Sequence, residues 1–326
     1  MKRRNLLTLI GGAAAAGALP IAARAQQAMP VVGFLRSTSL APFQNLVPAF
    51  QQGLKEAGLV EGQNVAVEYR YADNQVDRLP GLAADLIRRP VAVIVANNLG
   101  ALAAKAATTT VPIVFVTGGD PVQEGLVGSL NRPGGNLTGI SFFSGVLGAK
   151  RLDLLRQFVP KATTIGMLVN PNSADTEAER ADVMTAAQTS GQQLIILDVS
   201  SDRDIDAAFP TFVQRKVGAL FVGTGAFLNS HRTRVIALAA RHAMPTMYTQ
   251  RDIVAAGGLM SYGSNIADGY REAGVYTGRI LKGEKPGDLP VKRSTKFDFA
   301  INLKTAKTLG LEFHPQLLAT ADEVIE

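Results

Sequence analysis

The sequence predicts an α/β protein made of two doubly wound parallel-sheet lobes joined by a hinge. Short apolar runs rich in β-branched residues alternate along the chain with longer stretches of helical periodicity. This alternation is typical of right-handed βαβ units, in which helices cover both faces of a parallel sheet. About eleven runs qualify as strands, more than one open sheet usually holds. The roughly 300 residues that follow residue 25 are enough for two domains.

The predicted strands are short and mostly continuously apolar, as expected for strands that are buried on both faces. Residues 31–35 open the pattern, whereas residues 64–71 alternate apolar and polar side chains. The further strands are predicted at 91–96, 113–116, 137–141, 165–169, 194–197, 219–222, 246–248, 259–262 and 296–301.

Helices are predicted where apolar residues recur at intervals of three and four. In the first of them Phe43, Leu46 and Phe50 share a face, but Pro48 conflicts with a helix that begins at Phe43. The helix is therefore kinked at Pro48 or begins nearer Val47. The later helices are predicted at 79–87, 100–109, 146–159, 175–190, 205–215, 230–242 and 265–281.

Turn-forming residues indicate where one lobe ends and the other begins. A turn cluster at 131–136 precedes a strand, after which Val146 starts a new amphipathic helix. The Gly- and Pro-containing segment 283–290 is a connector near which the chain can cross back between the lobes. We expect an N-terminal lobe of residues 30–141 plus about 264–290, and a C-terminal lobe of residues 142–263 plus about 296–326.

The first 25 residues have the pattern of an export signal. A basic segment at 2–4 precedes an apolar run to about Leu19, and a small-x-small cleavage site follows at 23–25. The paired arginines are compatible with twin-arginine as well as Sec export. The alternative, a membrane anchor, needs about 20 apolar residues, and this run is shorter. We expect residues 1–25 to be a signal peptide and the mature chain to work in the periplasm.

Composition and missing motifs exclude several kinds of site. The net charge of +6 falls to near +2 without the four basic residues of the leader, which gives little support for binding to nucleic acid. There are no cysteines, so thiolate metal sites and cysteine nucleophiles are excluded. His231, His242 and His314 lack the spacing of a zinc site, and no Gly-x-Ser-x-Gly motif is present. The sequence therefore predicts no catalytic residue, metal, cofactor or nucleic-acid partner.

Polar loops follow the predicted strands in both halves of the chain. Ligands of a doubly wound sheet bind beyond the carboxyl ends of its strands. Taken together, these hydroxyl- and amide-rich loops predict a cleft for a small polar molecule. Any one of their residues is more readily explained as a cap or a turn, since 120–123 has the form of a helix N-cap and 201–204 that of a capping box. The loops are 36–39, 97–98, 117–121, 170–173, 223–227, 249–252 and 263–265.

Five internal segments, together with the export segment, carry a resemblance to a known family over nearly the whole chain. The segments are FQQGLKEAG at 50–58, IVFVTGGDPV at 113–122, LNRPGGN at 130–136, GGLMSYG at 257–263 and NLKTAK at 302–307. The chain resembles the bacterial ABC-transporter solute-binding proteins of the ABC_sub_bind type. The resemblance implies a type I periplasmic-binding-protein fold, in which three crossovers join two lobes around a ligand cleft. Some relatives bind tryptophan or other aromatic amino acids.

The resemblance also implies a set of ligand-binding residues in the cleft. The mature chain has no tryptophan, so only Phe227, Tyr248 and Tyr262 of this set are expected to stack on an aromatic ligand. The residues expected on the first lobe are Ser37, Thr38, Ser39, Asn97, Asn98, Thr117, Gly118 and Asp120, and those on the second are Asn170, Thr224, Phe227, Tyr248 and Tyr262.

We therefore expect a monomeric periplasmic binding protein, not an enzyme, that delivers a small polar or aromatic molecule to the membrane permease of an ABC transporter. ATP is then hydrolysed by a separate subunit. A sensory or regulatory binding protein is the alternative, because the same fold serves both tasks. An exported hydrolase would need an acid–base pair in the cleft, for which Asp120 and Arg251 are the available candidates.

Overall fold

A computed structural model describes residues 29–173, 175–312 and 315–326 of the protein. The predicted signal peptide at 1–25 lies outside these residues, as does His314. Within the described ranges, no helix has both the length and the apolar character that a membrane crossing requires.

The described residues form thirteen strands that belong to two sheets. The strands are β1 (Val31–Arg36), β2 (Ala66–Tyr71), β3 (Val91–Asn97), β4 (Ile113–Thr117), β5 (Leu137–Ser141), β6 (Thr164–Val169), β7 (Gln193–Asp198), β8 (Ala219–Val222), β9 (Thr246–Tyr248), β10 (Met260–Ser264), β11 (Lys292–Arg293), β12 (Phe297–Asn302) and β13 (Glu323–Ile325).

Helices connect most of the strands, and short 3₁₀ helices lie at Ala41–Phe43, Val76–Arg78, Ser144–Leu147 and Pro286–Asp288. The α-helices are α1 (Leu46–Glu56), α2 (Leu79–Arg88), α3 (Asn98–Ala107), α4 (Gly148–Phe158), α5 (Thr176–Thr189), α6 (Asp202–Gln214), α7 (Ala226–Ser230), α8 (Arg232–Arg241), α9 (Arg251–Ala255), α10 (Ile266–Leu281), α11 (Leu303–Thr308) and α12 (Pro315–Leu318).

Both sheets are dominated by parallel strands. The first has the order β11-β5-β4-β3-β1-β2, and all its pairs are parallel. The second has the order β13-β12-β10-β9-β8-β6-β7, and only β10 and β12 pair in antiparallel fashion. The predicted α/β class with two doubly wound lobes is confirmed.

Each sheet is buried by apolar side chains on both faces. On one face of the first sheet, Phe34 of β1 packs against Phe50 of α1 with ring centroids 5.3 Å apart. The opposite face carries a separate cluster that includes Leu86 of α2. The second sheet is covered in the same way, by a cluster with Leu155 of α4 on one face and by a cluster with Phe209 of α6 on the other. The continuous apolar runs of the sequence reflect this two-sided burial.

The chain passes between the two sheets three times. It leaves the first sheet after β5, returns from β10 through α10, and leaves again between β11 and β12. In the first passage Phe143 has a left-handed backbone, with a φ of 46°, and Arg293 of β11 lies 4.5 Å from its ring centroid. The Asn265 N–H of the second passage donates to the Lys296 carbonyl oxygen of the third at 2.9 Å, so the passages lie side by side and form the hinge between the lobes.

Several local expectations are settled by the helix ends. Helix α1 begins at Leu46, so Pro48 lies in its first turn, where a missing N–H costs nothing. Ser201 caps α6 by accepting a hydrogen bond from the Asp204 N–H at 3.2 Å, as predicted. The N-cap form of 120–123 is different, because Asp120 accepts from the Val122 N–H at 2.8 Å in a turn that no helix follows. The short elements β11, β13, α7, α9, α11 and α12 carry too little periodicity to have been predicted.

Helix α10 crosses α1 at a distance that only glycine permits. A Cβ on Gly53 would overlap the Arg271 carbonyl oxygen, and a Cβ on Gly274 would lie 2.8 Å from the Leu54 nitrogen. Both neighbours are backbone atoms, which cannot rotate away. The crossing therefore fixes the late part of the chain onto the first lobe.

We expect Gly274→Ala to lower the free energy of unfolding by about 1–3 kcal/mol or more, because the added methyl group forces the two helices apart. Gly81→Ala is the matched control, since Gly81 lies in α2 with nothing within 4 Å of a Cβ. The control should be neutral or stabilise the protein by up to about 1 kcal/mol. Denaturant unfolding of both variants is the measurement. Equal stability of the two variants would contradict the account of the crossing.

Candidate functional site

The main cavity of the described residues, about 230 Å³ in volume, lies between the lobes. Its walls come from the loops that follow β1, β3 and β4 in the first sheet and β6, β8, β9 and β10 in the second. These loops leave the carboxyl ends of parallel strands, where doubly wound sheets bind their ligands. The cavity is therefore the candidate ligand site.

Ten of the thirteen residues that the sequence predicted for the cleft line this cavity. The ten come from both lobes and include two of the three expected aromatic residues. They are Ser37, Thr38, Asn97, Asn98, Thr117, Gly118, Asn170, Thr224, Phe227 and Tyr262.

Ser39, Asp120 and Tyr248 lie outside the cavity lining. Asp120 is engaged in the turn described above, where its carboxylate caps backbone N–H groups. Tyr248 is 1% exposed and packs in the apolar core of the second lobe, where burial raises the pKa of its hydroxyl. Successive side chains of a strand point to opposite faces, and the next residue, Thr249, reaches the cavity in its place.

The pair that an exported hydrolase would have needed is not assembled. Asp120 and Arg251 both lie outside the cavity lining. Arg251 is at the surface, where its Nη2 donates to Glu323 Oε1 at 2.7 Å and its Nη1 lies 3.6 Å from Asp252. In the described part of the chain, no group of three or more His, Asp or Glu side chains is arranged to hold a metal ion.

Hydrogen bonds between neighbouring loops hold the polar wall of the first lobe. The Ser37 N–H donates to Asn97 Oδ1 at 3.0 Å, and Asn97 Nδ2 donates to Ser37 Oγ at 2.8 Å. Asn98 Nδ2 donates to Thr117 Oγ1 at 3.3 Å, and that hydroxyl donates to the Glu124 carboxylate at 2.8 Å. The loops after β1, β3 and β4 are thus tied to one another, which orients their polar groups for a ligand.

A buried ion pair supports the wall of the second lobe. Arg151 and Glu179 are 1% and 0% exposed, and Arg151 donates to Glu179. Glu179 Oε2 also accepts from the Thr224 N–H at 2.7 Å and from Thr224 Oγ1 at 3.1 Å. The Arg151 guanidinium carbon lies 4.8 Å from the Phe221 ring centroid. A buried charge needs such partners. Because Thr224 donates two hydrogen bonds to Glu179, the ion pair also holds the loop after β8 in place.

Further residues line the cavity outside the thirteen predicted positions, among them Arg36, which the sequence analysis placed only in the polar loop 36–39, and Phe43, Phe142 and Tyr270, which it did not expect there. Arg36, at the end of β1, is 4% exposed and donates to the Tyr270 hydroxyl and to Thr38 Oγ1. Its guanidinium carbon lies 4.4 Å from the Phe43 ring centroid and 5.3 Å from that of Tyr270. Phe142 completes this wall. Among the described residues Arg36 has no carboxylate partner, so its charge faces the cavity with only neutral neighbours.

Asp175 is a further cavity residue that the sequence analysis placed only at the start of a helix. It is 6% exposed, and its Oδ1 has no hydrogen-bond partner in the described structure. Burial raises the pKa of its carboxyl to about 8, and the charges of Glu124 and Glu179 act in the same direction. Burial also raises the pKa of Glu124, which lies on the first lobe.

The two lobes touch each other across the cleft. Asn45 at the start of α1 donates to Asp252 of α9, and Ser230 Oγ donates to Asn74 Oδ1 at 3.4 Å. The Asp175 carboxylate lies against the backbone of Gly118, where a Cβ would overlap its Oδ2. The structure thus has the closed arrangement of the lobes.

The chain is similar to known proteins over most of its length. The family described as ABC transporter substrate binding protein matches residues 33–325. A tyrosine-binding protein of Clostridioides difficile is 26% identical over 264 residues, which are 81% of this chain and 76% of that protein.

Solved structures have the same fold. A conserved domain protein of Vibrio cholerae gives a TM-score of 0.84 at 25% identity, and an ABC domain of Streptococcus pneumoniae in complex with L-Trp gives 0.83 at 24% identity. Each match covers 91% of this chain and 99% of the other. The prediction of a binding protein rather than an enzyme is confirmed by the family. With two facing lobes around one cleft and a family match from residue 33 to residue 325, the chain belongs to the ABC transporter substrate-binding proteins.

Proposed function

We propose that this protein binds an aromatic amino acid in the periplasm and delivers it to the permease of an ABC importer. The observation that carries the proposal is the composition of the cavity, where aromatic rings lie beside an arginine that has no carboxylate partner. An aromatic amino acid presents a ring and a carboxylate, which are the two groups that such a wall complements.

The apolar part of the cavity is suited to a ring. Phe43, Phe142, Phe227, Tyr262 and Tyr270 contribute to its lining and come from both lobes. Offset or edge-to-face contacts between aromatic rings contribute about 0.5–1.5 kcal/mol each beyond the area that they bury. The tyrosine-binding relative and the structure in complex with L-Trp support this class of ligand.

The polar part of the cavity is suited to a carboxylate. Arg36 has donors directed at Thr38 and Tyr270, but its charge is not compensated by a carboxylate of the described residues. Ligand carboxylates form charge-assisted hydrogen bonds with guanidinium groups that are about twice as strong as neutral ones. The amides of Asn97 and Asn98 add donors to the same wall.

Closure couples binding to delivery. Both lobes line the cavity, so a ligand contacts all of its partners only when the lobes have come together. It therefore stabilises the closed form relative to the open one by the difference in its affinity for the two. The three adjacent passages between the sheets allow this movement, and the closed form is the one that docks on the permease.

A panel of candidate ligands tests the proposal directly. We expect L-tyrosine, L-tryptophan or L-phenylalanine to raise the melting temperature, since a ligand at 100 times its Kd stabilises the folded state by about 2.7 kcal/mol. Glucose and succinate, which have neither an aromatic ring nor an amine, serve as controls and should have no effect. If none of the three aromatic amino acids stabilises the protein, the proposed ligand class is wrong.

We expect Arg36→Met to weaken the binding of L-tyrosine about 10- to 100-fold, because hydrogen bonds to charged groups contribute about 1.5–3 kcal/mol. The unfolding temperature without ligand should be unchanged or higher, since Arg36 is buried without a carboxylate partner. Arg88→Met, on an exposed side chain of α2, is the matched control. Isothermal titration calorimetry measures both variants, and equal affinities would remove Arg36 from the site.

A further inference from the structure

We propose that Asp175 is an ammonium-binding residue of the cleft, reinforced by the negative charge of Glu124, so that the ligand must carry a protonated amine. This inference rests on the proposed function, because it concerns the same cavity, but it is independent of whether the ligand is aromatic. Neither residue was expected in the site from the sequence.

The first argument is the isolation of the Asp175 carboxylate. Its Oδ1 is buried and without a hydrogen-bond partner in the described structure, and its side chain lines the cavity. Asp175 is also the N-cap residue of α5, yet it makes no capping hydrogen bond to the helix. Aspartate at this position usually caps its own helix. Here the carboxylate is directed instead at the contact between the lobes.

The second argument is the balance of charges around this carboxylate. The groups that act on it are Glu124 from the turn after β4, Glu179 from α5 and Arg151 from α4. Arg151 is already paired with Glu179. Three carboxyl groups thus face one guanidinium, and the cluster is short of positive charge. Buried carboxylates remain charged only when they are paired, and a ligand ammonium in the cavity can supply the pair.

The third argument is the position of the two carboxyl groups on opposite lobes. Asp175 lies against Gly118 and Gly119, where a Cβ on Gly119 would come within 2.9 Å of its Oδ1. Glu124 approaches the same glycine from the first lobe, and the Thr117 hydroxyl holds it there at 2.8 Å. Closure therefore brings two negative groups together, which is unfavourable unless a cation or a proton accompanies it.

This geometry makes closure depend on pH only for ligands without an amine. The pKa of Asp175 is about 8 in the closed form because of burial and the neighbouring carboxyl groups. Between about pH 5 and pH 8, closure around an uncharged group therefore requires Asp175 to take up a proton. The free energy of closure becomes less favourable as the pH rises. Closing around an ammonium needs no proton, because the ligand supplies the positive charge.

The test uses matched pairs of ligands with and without the amine. The pairs are L-tyrosine with 3-(4-hydroxyphenyl)propanoate, L-tryptophan with 3-indolepropanoate, and L-leucine with 4-methylpentanoate, all measured by calorimetry at pH 7. We expect each amine to bind at least tenfold more tightly than its partner wherever either binds. Equal affinities within a pair, or a panel in which no amine binds, would overturn the inference.

The Asp175→Asn variant tests the contribution of the Asp175 carboxylate alone. It should weaken amine binding at least tenfold, and at pH 7 it should leave the affinity for the des-amino partners unchanged or higher, because asparagine needs no proton on closure. Asp153→Asn makes the same chemical change on an exposed side chain of α4 and should alter neither. Thermal unfolding of Asp175→Asn should be unchanged or improved, which separates lost binding from lost folding. Unchanged amine affinity in Asp175→Asn would assign the residue a structural role only.

The pH profile supplies a second readout. We expect the affinity for a des-amino ligand to fall by up to about tenfold per pH unit between pH 5 and pH 8, and the affinity for its amine partner to stay nearly constant. The fall should disappear in Asp175→Asn. If L-leucine binds in this way and the aromatic amino acids do not, the ammonium site stands and the aromatic ligand is wrong. If L-tyrosine binds equally well to the wild type and to Asp175→Asn, the aromatic ligand stands and the ammonium site is wrong.

Discussion

The close crossing of α10 over α1 is the constraint on which the two-lobed architecture depends. Because Gly53 and Gly274 let the helix backbones touch, a helix from the last quarter of the chain joins the core of the first lobe. The second lobe is thereby inserted between two parts of the first. This arrangement sets the hinge passages side by side, and it brings Tyr270 of α10 to Arg36 of β1, 234 residues away in sequence.

The fold and most of the polar residues of the cleft could be predicted from the sequence. Alternating apolar runs determine the parallel sheets, and the carboxyl ends of parallel strands determine where the loops meet. Residues at or just beyond the end of a strand, such as Ser37, Asn97 and Thr224, were therefore correctly placed at the cavity. Tyr248 was not, because the face on which the last residue of a three-residue strand lies cannot be read from so short a run.

The cavity residues outside the thirteen predicted positions share a different property, including Arg36, which was predicted only as part of a polar loop. Arg36, Phe43 and Tyr270 acquire their environment from one another, and Asp175 acquires its environment from the opposite lobe. Periodicity reports the face of a helix or strand, but not which distant element covers that face. The sequence also does not show which charged side chains are paired. Arg151 pairs with Glu179 on the next helix, whereas Arg36 has no carboxylate partner among the described residues.

The polar groups of the cavity come mainly from the carboxyl ends of strands and the loops that follow them, while most of the apolar side chains that cover the sheets lie outside the cavity lining. Ligand selectivity and fold stability therefore depend on largely different positions, which overlap at residues such as Phe43, Phe142 and Tyr270. Proteins with this fold can change their ligand specificity through a few substitutions at the ends of strands. Such substitutions would leave the hinge and the crossing of α1 and α10 unchanged.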